Sequence, residues 1–234
     1  MAKNNNLTDF LTSLANKIRE KTGITSKINP QDFETKIDEI SDNGTKMLDD
    51  FLQGNLIEIK NTTIKKMRSH ALAYSTNLES VDFQNLTTLN SYAFSNCYKL
   101  KNVNLPKLET LGASCFNGCR ELTEQIFISP VAIAISTFVN CIKLKKVDFT
   151  YITSTVASNT FQGCSEFDTF INRNTTNVVA LSNKNAFSGT CIESGTGYIY
   201  VPAKFVEAYK TATNWITYAD QIRAIEDYPE ITGG

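Results

Sequence analysis

The sequence has little of what enzymes and metal sites are built from. It contains a single histidine among 234 residues, and none of its six cysteines forms a C-x₂-C pair. It also lacks the G-x-G-x-x-G, P-loop and G-x-S-x-G motifs, which are typical of dinucleotide, phosphate-transfer and serine-hydrolase sites. These absences predict a protein with no catalytic residues, no metal site and no cofactor.

The sequence also lacks an excess of charge of one sign and any long hydrophobic run. Charged residues make up 20% of the chain, the net charge is −1, and no run of Lys and Arg exceeds two residues. A balanced surface of this kind predicts neither nucleic-acid binding nor attraction to an anionic membrane. The densest apolar stretch, around 126–135, is interrupted by Ser129 and Pro130 and is too short to cross a bilayer.

The chain contains one pattern repeated six times. It reads small-F-x-[NG]-C-x-x-L-x-x-V-x-[FL], where F marks an apolar residue. The apolar F position is occupied by Leu72, Phe94, Phe116, Phe138, Phe161 and Phe187. The steps are 22, 22, 22, 23 and 26 residues. A period in the twenties predicts an α/β leucine-rich-repeat solenoid, in which each unit buries its apolar side against its neighbours.

Two parts of the pattern predict local structure. The position two residues after F holds Asn or Gly in all repeats but the first, and these residues accept a positive φ at least cost. The V-x-[FL] part reads as a strand at 81–83, 103–105 and 147–149, and at 126–128 with a shift of one residue. Alternation sends the outer two side chains of each strand into the core.

The middle residue of each strand, and polar residues beside it, should then face outward. The candidate ligand-facing residues are Asp82, Asn102, Asn104, Lys146 and Asp148. They form no aromatic platform of the kind that binds sugars. Alternation predicts that they are exposed, so that even Asp148→Arg should leave the melting temperature nearly unchanged.

Four cysteines recur at one repeat position: Cys97, Cys119, Cys141 and Cys164. Ser75 and Thr190 occupy that position in the end repeats. Disulfides and metal sites remain the alternatives, but both need clustered partners rather than a column with one thiol per repeat. The column therefore favours buried structural thiols. Cys115 forms C-x₃-C with Cys119, which we interpret as coincidence. We expect that replacing Cys119 with Ser costs more stability than replacing Cys115, because the column position should be dry.

The flanks do not carry the repeat. In residues 1–43, apolar residues follow the spacing of two short helices, and the candidate docking residues are Leu7, Phe10, Leu11, Leu14, Ile18, Phe33 and Ile37. Two such helices bury too little to fold alone, so they should form a docking or oligomerisation segment. The solenoid is predicted over 44–201, and 202–234 are predicted to be a C-terminal helical cap and tail.

The repeat units closely resemble BspA-type leucine-rich repeats, especially Ala93–Leu100 and Val103–Gly112. Leu14–Gly23 is similar to the opening of tail-associated proteins from phages of Gram-positive hosts. Ile199–Pro202 and Asn214–Ile222 are similar to the usual terminus of the same phage proteins. BspA-type repeats occur on bacterial surface adhesins, which carry export signals, and in structural proteins of phages, which do not.

The resemblance implies a non-enzymatic bacteriophage virion protein in a tail, baseplate or fibre. Its N-terminal helices would bind other virion structural proteins and form a homo-oligomer, and its repeats would present a surface to a host cell-surface ligand. The start of the sequence does not read as a signal peptide, so we expect synthesis in the host cytoplasm and a place in the virion. Alternatives are a head decoration or fibre protein without a ligand, and a bacterial leucine-rich-repeat scaffold or adhesin.

Deleting residues 1–43 should leave a folded, soluble solenoid that no longer joins its oligomer or particle. The reason is that the apolar stripe of this segment is too small to form a core by itself. Light scattering of the full chain and of the 44–234 fragment compares their masses, and incorporation of both into virions tests docking. Normal incorporation of the fragment would show that another part of the chain docks.

Overall fold

The computed structural model describes residues 56–232. The two helices predicted within 1–43, with all seven candidate docking residues, lie outside this range. The described residues contain twelve strands: β1 (Glu58–Asn61), β2 (Lys66–Met67), β3 (Ser80–Phe83), β4 (Thr88–Leu89), β5 (Asn102–Asn104), β6 (Thr110–Leu111), β7 (Glu124–Phe127), β8 (Ala132–Ile133), β9 (Lys146–Phe149), β10 (Thr169–Asn172), β11 (Tyr198–Val201) and β12 (Ile222–Ala224).

Within residues 56–232, the helices are short and lie toward the C-terminal end. They are α1 (Val206–Thr211), α2 (Pro229–Thr232) and four 3-10 helices, at Lys184–Phe187, Ala203–Phe205, Trp215–Gln221 and Ile225–Asp227. The strands form three parallel sheets, ordered β1-β3-β5, β7-β9-β10-β11-β12 and β2-β4-β6-β8. Where neighbouring strands pair, each residue lies opposite its equivalent in the next repeat, as Asp82 does with Asn104. This register confirms the predicted leucine-rich-repeat fold.

A column of stacked phenylalanines runs through the core. The rings of Phe94, Phe116, Phe138, Phe161 and Phe187 stack in order with centroids 5.4–5.6 Å apart and planes within 15° of parallel. All five side chains are fully buried. Burying each ring contributes about 2–3 kcal/mol, and each stacked pair adds about 1 kcal/mol. The stability of a repeat therefore comes largely from its neighbours.

The turns place two residues per repeat in the left-handed region. One is the predicted Asn or Gly two residues after F, including Asn96 (φ 60°) and Gly118 (φ 74°). The other, which the sequence did not indicate, lies two residues before F and has φ between 54° and 60° at His70, Tyr92, Ser114, Ser136 and Asn159.

Asn and Gly alternate in the first of these columns for a steric reason. A Cβ added to Gly118 would lie 2.6 Å from Asn96 Oδ1 of the preceding repeat. The same conflict would arise between Gly163 and Asn140. An asparagine side chain therefore lies where a Cβ of the next repeat would be, and a residue other than glycine there would require that side chain to move.

The cysteine column is a set of buried, reduced thiols, as predicted. All six cysteines are free, and the four column members are fully buried. Each Sγ of the column donates a hydrogen bond to the carbonyl oxygen of the F residue one repeat earlier, for example Cys119 Sγ to Phe94 O at 3.2 Å and Cys141 Sγ to Phe116 O at 3.0 Å. The thiol thus links consecutive repeats through a polar contact inside the core.

The structure does not give Cys119 a drier site than Cys115, which was the reason for expecting a larger cost at Cys119. Both residues are fully buried. The position before F faces the core in every regular repeat, where it holds the equally buried Ala93, Thr137 and Thr160. A small side chain is required there because the stacked rings leave little room.

The predicted shift in the third repeat is also wrong. Gln125 pairs with Val147 and Phe127 pairs with Phe149, so the third strand keeps the common register. Gln125 and Phe127 face the core, whereas Ile126 and Ile128 are 51% and 62% exposed. Stacking on the next repeat fixes the register, and a slip of one residue would have turned Phe127 outward.

The C-terminal segment, residues 202–232, was predicted to be helical. It contains helices but also the strand β12, which pairs with β11. Buried side chains tie it to the last repeats. Trp215 Nε1 donates to Val179 O at 2.7 Å, and Tyr209 Oη accepts from Asn172 Nδ2 and from the Val179 N–H, both at 2.8 Å.

Ionisation of the buried thiols should make the protein less stable at alkaline pH. Burial raises the pKa of Cys97 from its ordinary 9.0 to about 12. The pKa of Cys97 is higher in the folded state than in the unfolded state, so the protonated thiol contributes to the stability of the fold. This stabilising contribution is fully present below about pH 9 and is lost as the pH rises toward the folded-state pKa. Between about pH 9 and 10.5, the free energy of unfolding of the wild type should fall by about 2 kcal/mol more than that of the Cys97→Ser variant.

Urea unfolding of the two proteins at pH 7 and pH 10.5 measures this difference, because the titration of every other group cancels between them. A difference in unfolding free energy that does not change with pH would show that Cys97 ionises equally well in the folded and unfolded states.

Candidate binding surface on the strand face

The outward side chains of the longer strands form one surface, here called the strand face. Its central column is Lys60, Asp82, Asn104, Ile126, Asp148, Ile171, Tyr200 and Arg223. Its flanking column, two residues earlier in each strand, is Glu58, Ser80, Asn102, Glu124, Lys146, Thr169 and Tyr198. All five candidate ligand-facing residues belong to these columns.

One end of the strand face is covered by the C-terminal segment. Ile171 and Tyr200 of the central column are buried in one cluster with Ile225 and Ile231, and Tyr228 packs against it. The rings of Tyr200 and Tyr228 meet edge to face with centroids 5.2 Å apart. Residues 225–232 therefore occupy the face over β10 and β11.

Asp148 lies at the border of the covered part and is not exposed, contrary to the prediction from alternation. Only 6% of its surface is accessible. Arg173 binds it with two hydrogen bonds, Nε to Oδ1 at 2.9 Å and Nη2 to Oδ2 at 2.8 Å. Arg173 Nη2 also donates to Ile231 O at 2.6 Å. The carboxylate thus helps to anchor the C-terminal segment and is already engaged.

The other end, over β1, β3, β5 and β7, is open and contains a cleft of about 600 Å³. A cleft of this size falls within the range of roughly 300–1,000 Å³ in which binding sites occur. Asp82, Asn102 and Asn104 line it, so the structure brings together three of the five predicted residues. Lys146 and Asp148 do not line it.

Sequence reasoning missed one wall of this cleft. Glu124, Gln125, Ile126 and Ile128 of the third repeat all line it. The signal that identifies them is Gln125, which interrupts a column of core valines at a spacing of 22 residues from Val103 and Val147. The exposed isoleucines then follow from the common register.

The charges in the cleft are unevenly compensated. Lys60 lies 3.0 Å from Glu58, and Lys101 lies 3.3 Å from Glu79. Asp82 Oδ1 accepts a hydrogen bond from Asn104 Nδ2 at 2.9 Å but has no cation within ion-pair distance among residues 56–232, and the same holds for Glu124. The charged side chains that line the cleft are thus two cations, Lys60 and Lys101, and two anions, Asp82 and Glu124, so the lining has no net charge.

The sheet is interrupted beneath the cleft. No backbone pairing joins β5 to β7 among residues 56–232, although β4, β6 and β8 pair continuously through the same repeats. On either side of the gap, the Lys101 N–H donates to Glu79 O at 2.9 Å and the Lys145 N–H donates to Thr123 O at 2.8 Å. The equivalent bond from the Thr123 N–H to Lys101 O is absent. We call this gap the seam.

Within 56–232, no three His, Cys, Asp or Glu side chains come together in a group that could hold a metal ion. No helix in that range has the length and apolar character needed to cross a bilayer.

Replacing Asp148 with Ala should lower the free energy of unfolding by about 2–4 kcal/mol, since it leaves the Arg173 guanidinium partly buried without its carboxylate. Asp82→Ala is the matched control in the same column, and it should cost less than about 1 kcal/mol because its site is open to water. Urea denaturation compares the two variants. Equal losses would show that the terminal segment does not depend on the Asp148–Arg173 pair.

Comparison with known proteins agrees with this geometry. Six copies of the unit described as BspA type Leucine rich repeat region match the chain, over residues 46–168 and 108–205. No curated protein is similar enough to count as a relative.

Three solved structures are similar at low identity. A leucine rich cell surface protein from Faecalibacterium prausnitzii is 19% identical, with a TM-score of 0.47 over 51% of this chain and 32% of that one. The pneumococcal vaccine antigen PcpA is 17% identical, with a TM-score of 0.49 over 71% and 39%. The leucine rich repeat protein of T. pallidum is 17% identical, with a TM-score of 0.43 over 57% and 76%.

The chain thus spans about a third of the length of the Faecalibacterium protein and about two fifths of PcpA. The family assignment depends on the match to the repeats, which covers more than half of the chain, and on the stacked parallel register. On these grounds the chain belongs to the BspA-type leucine-rich repeat family.

Proposed function

We propose that the chain is a non-enzymatic structural protein of a bacteriophage particle, in its tail, baseplate or fibre, and that the open end of the strand face attaches the particle to a host cell surface. The observation that carries this proposal is the cleft over β3, β5 and β7. It joins exposed amides, charged side chains of both signs and exposed isoleucines on a rigid stack of repeats. Such a combination suits binding rather than turnover.

The covered end of the face supports the same assignment. Ile171 and Tyr200 are buried and Asp148 is engaged by Arg173, so a ligand has no access to the central column there. At the other end, the exposed Asn102 and Asn104 and the half-buried Asp82 line the cleft. If each contact is weak, several copies on one particle would still raise the overall affinity through effective concentration.

The phage context is supported by the similarity of Leu14–Gly23 and Asn214–Ile222 to tail-associated proteins of phages. In this proposal the apolar stripe from Leu7 to Ile18, with Phe33 and Ile37, binds other virion proteins and forms a homo-oligomer. The particle is assembled in the host cytoplasm.

A bacterial adhesin or interaction scaffold is the second candidate. The family match covers residues 46–205, and BspA-type repeats occur in both settings. The open strand face would serve an adhesin equally well, and the two candidates differ in where the protein is located. A head decoration protein without a ligand is the third, and it would leave the cleft unused.

The test uses the phage that encodes the chain. Mass spectrometry of purified particles should detect the protein, and its absence from them would favour the bacterial candidate. Particles carrying Asp82→Arg, Asn102→Arg and Asn104→Arg together should adsorb to host cells at least about tenfold less, equivalent to about 1.4 kcal/mol of binding free energy.

Ile216→Arg is the matched control, because Ile216 is 61% exposed in the C-terminal segment and is not among the residues that line the cleft. If particles of the triple variant have normal composition and adsorb normally, the strand face does not take part in host attachment. That outcome would favour the decoration protein.

A further inference from the structure

We infer that a second binding site lies on the turns of the second to fourth repeats, where the exposed ring of Tyr92 stacks on a pyranose ring of a neutral oligosaccharide. None of the residues that form this site lines the cleft, so the site is separate from the proposed attachment surface. Three observations carry it: an aromatic stack that stops after two rings, an aromatic residue in a backbone conformation that disfavours it, and small uncharged residues beside the ring.

The stack is the first observation. The position two residues before F holds His70 and Tyr92 in the first two repeats, and their rings lie within 14° of parallel with centroids 4.8 Å apart. The next two repeats hold Ser114 and Ser136 at this position. Among residues 56–232, no other ring and no cation lies against the Tyr92 ring. His70 thus covers one face of this ring, and the column supplies no ring for the other face.

The two serines leave space for a ring that belongs to another molecule. Ser114 is 6% exposed and Ser136 is half-buried, and a serine side chain ends at its Oγ, far short of the length of a tyrosine. The surface beside the ring is therefore low over two repeats, about 10 Å by strand spacing. In the core, the phenylalanine column continues through the same repeats with rings 5.4–5.6 Å apart. A flat ligand ring on Tyr92 would take the place of a third ring in the outer column.

The backbone is the second observation. Tyr92 has a φ of 60°, in the left-handed region, which a bulky residue seldom adopts. The later repeats form the same turn with serine or asparagine at this position. Tyr92 is also 40% exposed, so much of its ring lies outside the core. A large aromatic residue at a strained and exposed position indicates a role in binding.

The residues beside the ring select the class of ligand. The face of a tyrosine ring carries negative charge density, which the C–H groups on the flat face of a pyranose complement. The two residues before the Tyr92 position and its equivalents, at 90–91, 112–113 and 134–135, include no charged side chain, so an ionised ligand would find no opposite charge there. The hydroxyl groups of Ser91 and Ser136 can both donate to and accept from sugar hydroxyls. Ile135, which is 49% exposed, offers a second apolar contact.

Saturation-transfer NMR of the full chain with cellotriose, a neutral trisaccharide of β-1,4-linked glucose, tests the stacking. All ring hydroxyls of this sugar are equatorial, so each face of a glucose ring presents only axial C–H groups. Irradiation of the aromatic protons of the protein should saturate the axial protons of one face more than those of the other. The labelled methyl signal of Ile135 should shift as the sugar is added, and that of Ile216 should not.

Tyr92→Ser is the informative variant, because it introduces the residue that the third and fourth repeats already hold at this φ, and so keeps the fold. Its dissociation constant for cellotriose should rise at least about tenfold. Tyr92→Phe keeps the ring and should bind like the wild type. Tyr74→Asn is the matched control, since Tyr74 is 67% exposed with a φ of 64°, stacks on no ring within 56–232, and has asparagine as its equivalent in the next repeat. Its affinity should be unchanged.

Several results would overturn the assignment. They are an unchanged affinity of Tyr92→Ser, an equal loss in Tyr74→Asn, and even saturation of both faces of the sugar ring. An absence of saturation with each of cellotriose, maltotriose and chitotriose would also overturn it, and would leave the ring pair with a role in the turn alone. A shift of the Ile135 methyl signal with N-acetyltryptophanamide and none with the sugars would instead assign the Tyr92 ring to an aromatic side chain of a protein partner.

Discussion

Each residue of the solenoid is constrained by the equivalent residue one repeat away. Parallel pairing fixes the strands, the phenylalanine rings stack at 5.4–5.6 Å, and each buried thiol of the column bonds a carbonyl oxygen of the preceding repeat. These contacts run along the same direction, so a change of register in one repeat would break all of them together. Gln125 is buried for this reason: the stack holds its position in the core although a valine would be better suited to it.

Because of the same constraint, the seam marks a repeat that departs from the common pattern. A stack of identical repeats would leave no cleft, since every strand would pair with the next one. The seam arises where the third repeat departs from the pattern, with a polar residue in the core column and apolar residues outside. The strands β4, β6 and β8 hold the repeats together behind it, so the opening is confined to one side. The candidate site is thus a local exception that a regular scaffold keeps in place.

The sequence predicted what depends on periodicity. The spacing of the F residues predicted the stack, the Asn and Gly column predicted its positive φ, and the cysteine column predicted buried free thiols. It failed where one local pattern competed with the stack. The apolar pair Ile126 and Ile128 suggested a shifted strand, but the common register turned both outward.

Alternation also failed for Asp148, because a segment distant in sequence folds over it. The contact between Arg173 and Ile231 joins residues 58 positions apart, and no spacing rule in a single sequence reveals it. The cleft could not be predicted either, since it depends on which backbone bonds are missing between β5 and β7.

The alternation of Asn96, Gly118, Asn140 and Gly163 limits how such a chain can change its length during evolution. The conflict has a direction, because the asparagine Oδ1 lies where a Cβ of the following repeat would be, and that side chain would have to move to admit one. Gly189 follows Gly163 at ordinary van der Waals distance, so a tandem copy of a glycine repeat meets no obstacle. A tandem copy of an asparagine repeat would require the earlier asparagine side chain to move. Gene duplication should therefore retain new glycine units, or asparagine–glycine pairs, more readily than single asparagine units.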